Sequence, residues 1–153
     1  MKHSLITMLL ILAFAGPARA TGLPFTFELD PAWKKNEQNP SEKVIIYDKG
    51  SATMRFKAVP TQQESLSWHE VDRINRLAES KASAQYIQVD GLPSIYTRVI
   101  EKKFLRKNVY RLNCRVINNK VEYFMIIDFK GSSKAFDEIE DQFIAMIKSI
   151  KWK

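Results

Sequence analysis

The spacing of hydrophobic positions along this chain switches between period two and period 3.6, and each switch predicts an element. Phe25, Phe27 and Leu29 alternate with Thr26 and Glu28, which predicts a first strand over Phe25–Leu29. Asp30-Pro31 ends it, because Pro31 fixes its own φ and pushes Asp30 out of the helical region. Trp33 then falls as a lid on the core. Lys43–Asp48 and Ala52–Val59 are β-rich runs about a turn at Asp48-Lys49-Gly50, and Pro60 stops the second. Thr61-Gln62-Gln63-Glu64 has the form of a capping box, its hydroxyl and carboxylate placed to satisfy orphan N–H groups at a helix start. The helix it predicts runs to Lys81, with Trp68, Val71, Ile74, Leu77 and Ala78 on the packed side and His69, Arg73, Arg76 and Ser80 opposite.

Period two returns in Ala84–Val89 and Ser94–Ile100, strands about the turn Asp90-Gly91-Leu92-Pro93. A basic segment, Glu101–Asn108, leads to Val109–Ile117 and Lys120–Phe129, joined at Asn118-Asn119, where asparagine tolerates the positive φ of a type I′ turn. That register sets Arg115 opposite Glu122, Cys114 opposite Tyr123 and Leu112 opposite Met125. Tyr110, Leu112, Cys114 and Val116 then share an inner face with Val121, Tyr123, Met125 and Ile127, while Arg111, Asn113 and Arg115 point the other way. Gly131-Ser132-Ser133 caps a second helix, in which Phe136, Ile139, Phe143, Met146, Ile147 and Ile150 keep the spacing of a core face. The expected fold class is α+β, a single antiparallel sheet of about six to seven strands with two helices packed on it.

The first twenty residues lie outside this pattern. Met1-Lys2-His3, the apolar run Leu5–Ala15, the helix-breaking Gly16-Pro17 and the small residues Ala18 and Ala20 form a secretory signal peptide with its cut after Ala20. The apolar run is too short to span a bilayer, Thr21 offers no thiol for lipid attachment, and no later segment is apolar enough for an anchor. Residues 21–153 are therefore expected as one α+β domain in the periplasm or secreted. That length is enough to bury roughly two thirds of the unfolded surface without cross-links, and Cys114, the single cysteine, can form no intrachain disulfide. Export without disulfides points to a bacterial envelope.

Three stretches resemble a known family: Phe25 to Trp33, the strand pair Tyr110-Arg111-Leu112 to Ile126-Ile127-Asp128, and Phe136 through Phe143 to Ser149-Ile150-Lys151-Trp152. The chain resembles the PsbP-like superfamily, whose members include PsbP of photosystem II, a yeast Ran-binding protein and bacterial envelope proteins. The resemblance implies the α+β fold and a binding or assembly role, and it transfers no catalytic residue and no cofactor.

Catalytic chemistry has little to build on. His69, the only histidine after Ala20, falls on the polar side of its helix, with Asp72 better placed to pair Arg76 than to orient an imidazole. One histidine and one cysteine cannot supply a zinc site, and an inward Cys114 behaves as a small core hydrophobe. Asp137, Glu138, Glu140 and Asp141 lack the spacing and central glycine of a calcium loop. Gly22, Gly50, Gly91 and Gly131 are isolated turn residues, so there is no phosphate loop. Arg111, Arg115 and Phe124 could form a platform for single-stranded nucleic acid, but export removes that partner, and Tyr110, Tyr123 and Phe129 face inward.

Charge adds one feature. Removing Lys2 and Arg19 from the 24 basic residues leaves 22 against 17 acidic ones, and between Arg98 and Lys120 eight cations face Glu101 alone. One reading is a solubilising surface. The other is an anion-binding rim of Arg98, Lys102, Lys103, Arg106, Lys107 and Arg111, suited to an acidic protein or an anionic envelope lipid. The expected function is a non-enzymatic binding or assembly module of the cell envelope; the alternative is a small-ligand carrier or hydrolase using the cleft between helix and sheet.

Overall fold

Alternating residues pair off first with their sequence neighbours, and hairpins account for most of the sheet. The computed structural model describes residues 23–37, 44–77, 82–102 and 105–153. Strands β1 (Phe25–Thr26), β2 (Lys34–Lys35), β3 (Val44–Lys49) and β4 (Ala52–Pro60) precede helix α1 (Trp68–Leu77). Then follow β5 (Ala82–Val89), β6 (Leu92–Glu101), β7 (Asn108–Asn118), β8 (Val121–Gly131), helix α2 (Ser133–Ser149) and β9 (Lys151–Trp152). The main sheet has seven strands in the order β2-β3-β4-β8-β7-β6-β5, antiparallel throughout, and β1 pairs with β9 in a separate ribbon.

The two helices occupy opposite faces. On one face Met54, Phe56, Leu112, Cys114, Met125 and Ile127 meet Phe136, Phe143 and Met146 of α2 in the main core. Ser132 caps that helix, its side chain accepting from the Ala135 N–H at 3.2 Å. Phe25, Phe27 and Trp33 close the same core from the chain start, and the Trp33 indole donates to Gln142 of α2 at 3.0 Å. On the other face Ala84, Ile95 and Ile117 form a smaller core under Leu66, Val71 and Ile74. Asn75 of α1 also exchanges hydrogen bonds with the backbone of Ala84, accepting at 2.7 Å and donating at 3.0 Å, so it satisfies the outer edge of β5.

Several expectations are corrected. The first strand ends at Thr26 instead of Leu29, since Phe25 and Phe27 are both drawn into the core and the Glu28 N–H is taken by the Ser149 hydroxyl at 2.8 Å. The helix begins at Trp68 because Thr61 is still tied to the sheet, its N–H donating to the Lys120 carbonyl at 2.9 Å. Trp68 and Leu77 are 59% and 74% exposed, so only Val71 and Ile74 serve the packed side. Residues 78–81 of the expected helix lie outside the described residues. The β5–β6 turn shrinks to Asp90-Gly91, both at positive φ, with Val89 facing Leu92.

The β7–β8 turn is Asn119-Lys120, at φ 49° and 59°, and Asn118 faces Val121. The observed partners are therefore Arg115 with Phe124, Cys114 with Met125 and Leu112 with Ile127. Moving the turn by one residue shifts the register by two, so every side chain keeps its face. Glu122 remains within reach of Arg115 as a diagonal neighbour, accepting from Nε at 2.8 Å.

Candidate functional site

Two cations of the expected rim, Arg98 and Arg111, lie on opposite faces of the sheet. Arg98 lies on the α2 face of β6, where Nε donates to Glu140 at 3.1 Å and the guanidinium sits 4.8 Å from the Phe136 ring centre. Arg111, across from Val99 on β7, lies on the opposite face and donates from Nε to Asp128 at 2.6 Å. Arg98 thus fastens α2 to the sheet, and Arg111 joins Arg55 around one carboxylate. Their alternate positions in the pleat put them on opposite sides, a separation that charge counting ignores.

What stays together is the β6–β7 connection. Lys102, Arg106 and Lys107 are exposed and have no ion-pair partner among the described residues. Lys103, the remaining member of the expected rim, lies outside the described residues. Leu105 stands among these cations at 90% exposure, the most exposed of the large hydrophobic side chains described. Its φ of 57° is in the left-handed region, which costs a leucine roughly 1–2 kcal/mol. Among the described residues no core contact offsets that cost. The signal for it was in the sequence, where Phe104-Leu105 interrupts a basic run.

The residues considered for catalysis are placed apart. His69 is exposed on α1, its ring 3.7 Å from that of Trp68, and Cys114 is fully buried, its thiol pushed up to about 12 by desolvation. Among the described residues no cluster of His, Cys, Asp and Glu could hold a metal ion, and no helix is long and apolar enough to cross a membrane. The space between α2 and the sheet is filled by Leu112, Cys114, Phe136, Phe143 and Met146. Glu140 at its border accepts from the Tyr96 hydroxyl at 2.7 Å. Burial, reinforced by that carboxylate, raises the Tyr96 pKa.

A second concave region lies on the face away from α2. Lys57, Arg111, Asn113, Phe124 and Ile126 line a shallow depression of about 280 Å³. Lys57, Asn113 and Ile126 were not singled out as a group from sequence, because only the β4–β8 and β7–β8 registers bring them side by side.

With this architecture in view, the likeness to known structures is one of fold. The chain aligns with the Ran-binding protein Mog1p of Saccharomyces cerevisiae at TM-score 0.53 and 10% identity, over 87% of this chain and 92% of that one. It shares that fold. It also aligns with a protein of Bacteroides thetaiotaomicron at TM-score 0.54 and 11% identity, covering 86% of this chain and 46% of the other, so it spans about half that protein's length. The likeness to the PsbP of the cyanobacterium Synechocystis is looser, at TM-score 0.46 and 10% identity over 85% and 87% of the two chains. No protein-family model and no curated protein matches the chain. The α+β fold expected from the core patterns is thus the one shared with the Ran-binding protein Mog1p.

Proposed function

We propose that this chain is a non-enzymatic binding module of the bacterial cell envelope that docks on anionic lipid through its β6–β7 connection. Leu105 carries the reading. A leucine held in the left-handed region at 90% exposure, between Lys102 and the pair Arg106-Lys107, has the chemistry of a shallow membrane contact. The cations draw the connection to a negative surface at about 1 kcal/mol each, and burying the leucine in the acyl boundary adds about 1.5–3 kcal/mol. An acidic protein would have to supply a separate apolar pocket for Leu105, whereas an anionic membrane offers negative charge and an apolar layer together, which is why lipid is preferred as the partner. Lys103 contributes to the same positive run in sequence, whereas Arg98 and Arg111 are engaged by Glu140 and Asp128.

Two further observations support the module. The sequence of Met1–Ala20 has the pattern of a signal peptide, which would carry the chain to the compartment in which envelope lipid headgroups are exposed. The shared fold belongs to a protein described as Ran-binding, which makes a binding role natural for the scaffold. The test is co-sedimentation with phosphatidylglycerol vesicles, using phosphatidylcholine vesicles as the control. Binding is expected to phosphatidylglycerol alone, to weaken as salt rises, and to be lost in the triple variant Lys102→Glu/Arg106→Glu/Lys107→Glu. Leu105→Ser should keep a weaker, fully salt-sensitive attraction. Equal binding of wild type and triple variant would return this stretch to a solubilising surface.

A further inference from the structure

The two edges of the seven-stranded sheet are built differently. At one end β2 is two residues long and carries Lys34 and Lys35, a short and charged edge of the kind that resists a further strand. At the other end β5 runs for eight residues, Ala82–Val89, without a charged residue or a proline. Asn75 of α1 covers that edge at Ala84, taking both its N–H and its carbonyl. Alternate residues of an antiparallel strand point their backbone groups to the same side, so those of Tyr86 and Gln88 point outward as well. Among the described residues nothing bonds them.

The flank of this open stretch is apolar. Tyr86 shares the face of Ala84 and is exposed. Trp68, also exposed, lies about two helical turns before Asn75 and so projects from nearly the same side of α1, the side that meets the outer edge of β5. Neither ring belongs to the small core of Ala84, Ile95 and Ile117. An uncharged strand with open main-chain groups and exposed aromatic neighbours is an arrangement that accepts another strand.

We infer that two copies of this chain pair antiparallel through β5 about a two-fold axis at Ile87, with Tyr86 of each copy opposite the partner's Gln88. In that register the outward N–H and carbonyl groups of Tyr86 and Gln88 hydrogen bond across the seam. The same register leaves Asn75 in place, because Ala84 falls opposite the partner's Asp90, where the chain turns away through Asp90-Gly91 at positive φ. The covered half of one edge therefore meets the end of the other. A longer strand from an unrelated protein would run on past Tyr86 into Asn75, and this fit is what selects a second copy. No like charges meet along the seam, although the whole chain carries a net charge of +7. The seam is short, so the association is weak. It does not rest on lipid docking, since the β6–β7 connection lies beyond Glu101, away from the paired stretch.

Sedimentation velocity of the chain from Thr21 onward, between about 10 μM and about 1 mM, reads the pairing. The sedimentation coefficient should rise with concentration from that of a monomer to that of a dimer. Gln88→Pro removes an outward N–H that β6 does not use, and it should stay monomeric with nearly the wild-type midpoint of thermal unfolding. Disulfide trapping tests the register separately. Ile87→Cys sets two thiols across the axis within bridging distance, whereas Gln85→Cys, exposed on the same face of β5, sets them too far apart. Cys114 is fully buried, so each new thiol reacts alone. Mild oxidation should cross-link Ile87→Cys at least about tenfold more than Gln85→Cys. A monomer across the whole range would leave this edge to a strand from another protein. That result, a Gln88→Pro variant that dimerises like the wild type, or equal cross-linking of the two cysteine variants would each overturn the inference.

Discussion

The two faces of the sheet are cut from the same strands yet differ in how their side chains are satisfied. Beneath α2, successive inward positions of β4, β7 and β8 are apolar and buried, and the charges at the border, Arg98 and Glu140, join helix to sheet. On the opposite face α1 covers only the patch of Ala84, Ile95 and Ile117, and the positions over β4, β8 and the rest of β7 mix cations, the carboxylates of Glu122 and Asp128, and half-exposed Phe124 and Ile126. Strand alternation alone therefore builds one face for stability and leaves the other available for contacts. The β6–β7 connection, where Leu105 is held outward, continues that division at the end of the sheet.

The sharpest way to break the comparison is to truncate one residue on each face. Phe143→Ala, at a fully buried position, should cost about 3–5 kcal/mol in denaturant unfolding, and Ile126→Ala on the open face only about 1 kcal/mol. Similar losses at both sites would mean that the open face is packed as tightly as the closed one. Alkaline pH gives the next effect. Burial raises the Cys114 thiol to about 12, and desolvation likewise raises Tyr47, Tyr96 and Tyr123. A group raised on folding contributes fully below its unfolded value, and that contribution is lost as pH rises towards the folded one. Cys114 alone should lower stability by about 1.4 kcal/mol per pH unit above roughly pH 8.5, a slope that Cys114→Ala removes.

A smaller effect comes from the edge. Asn75→Ala frees the Ala84 N–H and carbonyl on β5 and should cost about 1 kcal/mol, with faster amide exchange at Ala84 as the specific signature. The smallest is at the connection, where Lys102→Glu/Arg106→Glu/Lys107→Glu should change stability by less than about 0.5 kcal/mol, because these exposed cations touch no partner among the described residues.

Much of the closed face was legible from the chain. The inward alternation of β7 and β8, the Ser132 cap and the core spacing of α2 follow from periodicity, and a register error of two residues left the faces intact. Helix α1 was overextended because a capping motif and an amphipathic pattern cannot report that Thr61 is held by Lys120 across the sheet. The candidate site was less legible. Counting charge between Arg98 and Lys120 joined residues that the pleat assigns to opposite faces, and it passed over Leu105 because a single apolar residue does not alter a charge sum. Lys57, Asn113 and Ile126 sit far apart in sequence, and only the pairing of β4, β8 and β7 makes them neighbours.

The proposed docking of the β6–β7 connection on lipid is tested most directly by placing an environment-sensitive fluorophore on Leu105→Cys. Native Cys114 is buried and its thiol is raised, so the new residue should label alone under native conditions. Phosphatidylglycerol vesicles at low salt should brighten the probe and shift its emission to shorter wavelength, with no change from phosphatidylcholine vesicles and reversal on adding salt. Emission that stays unchanged when the anionic vesicles are added would contradict the docking of this connection on lipid.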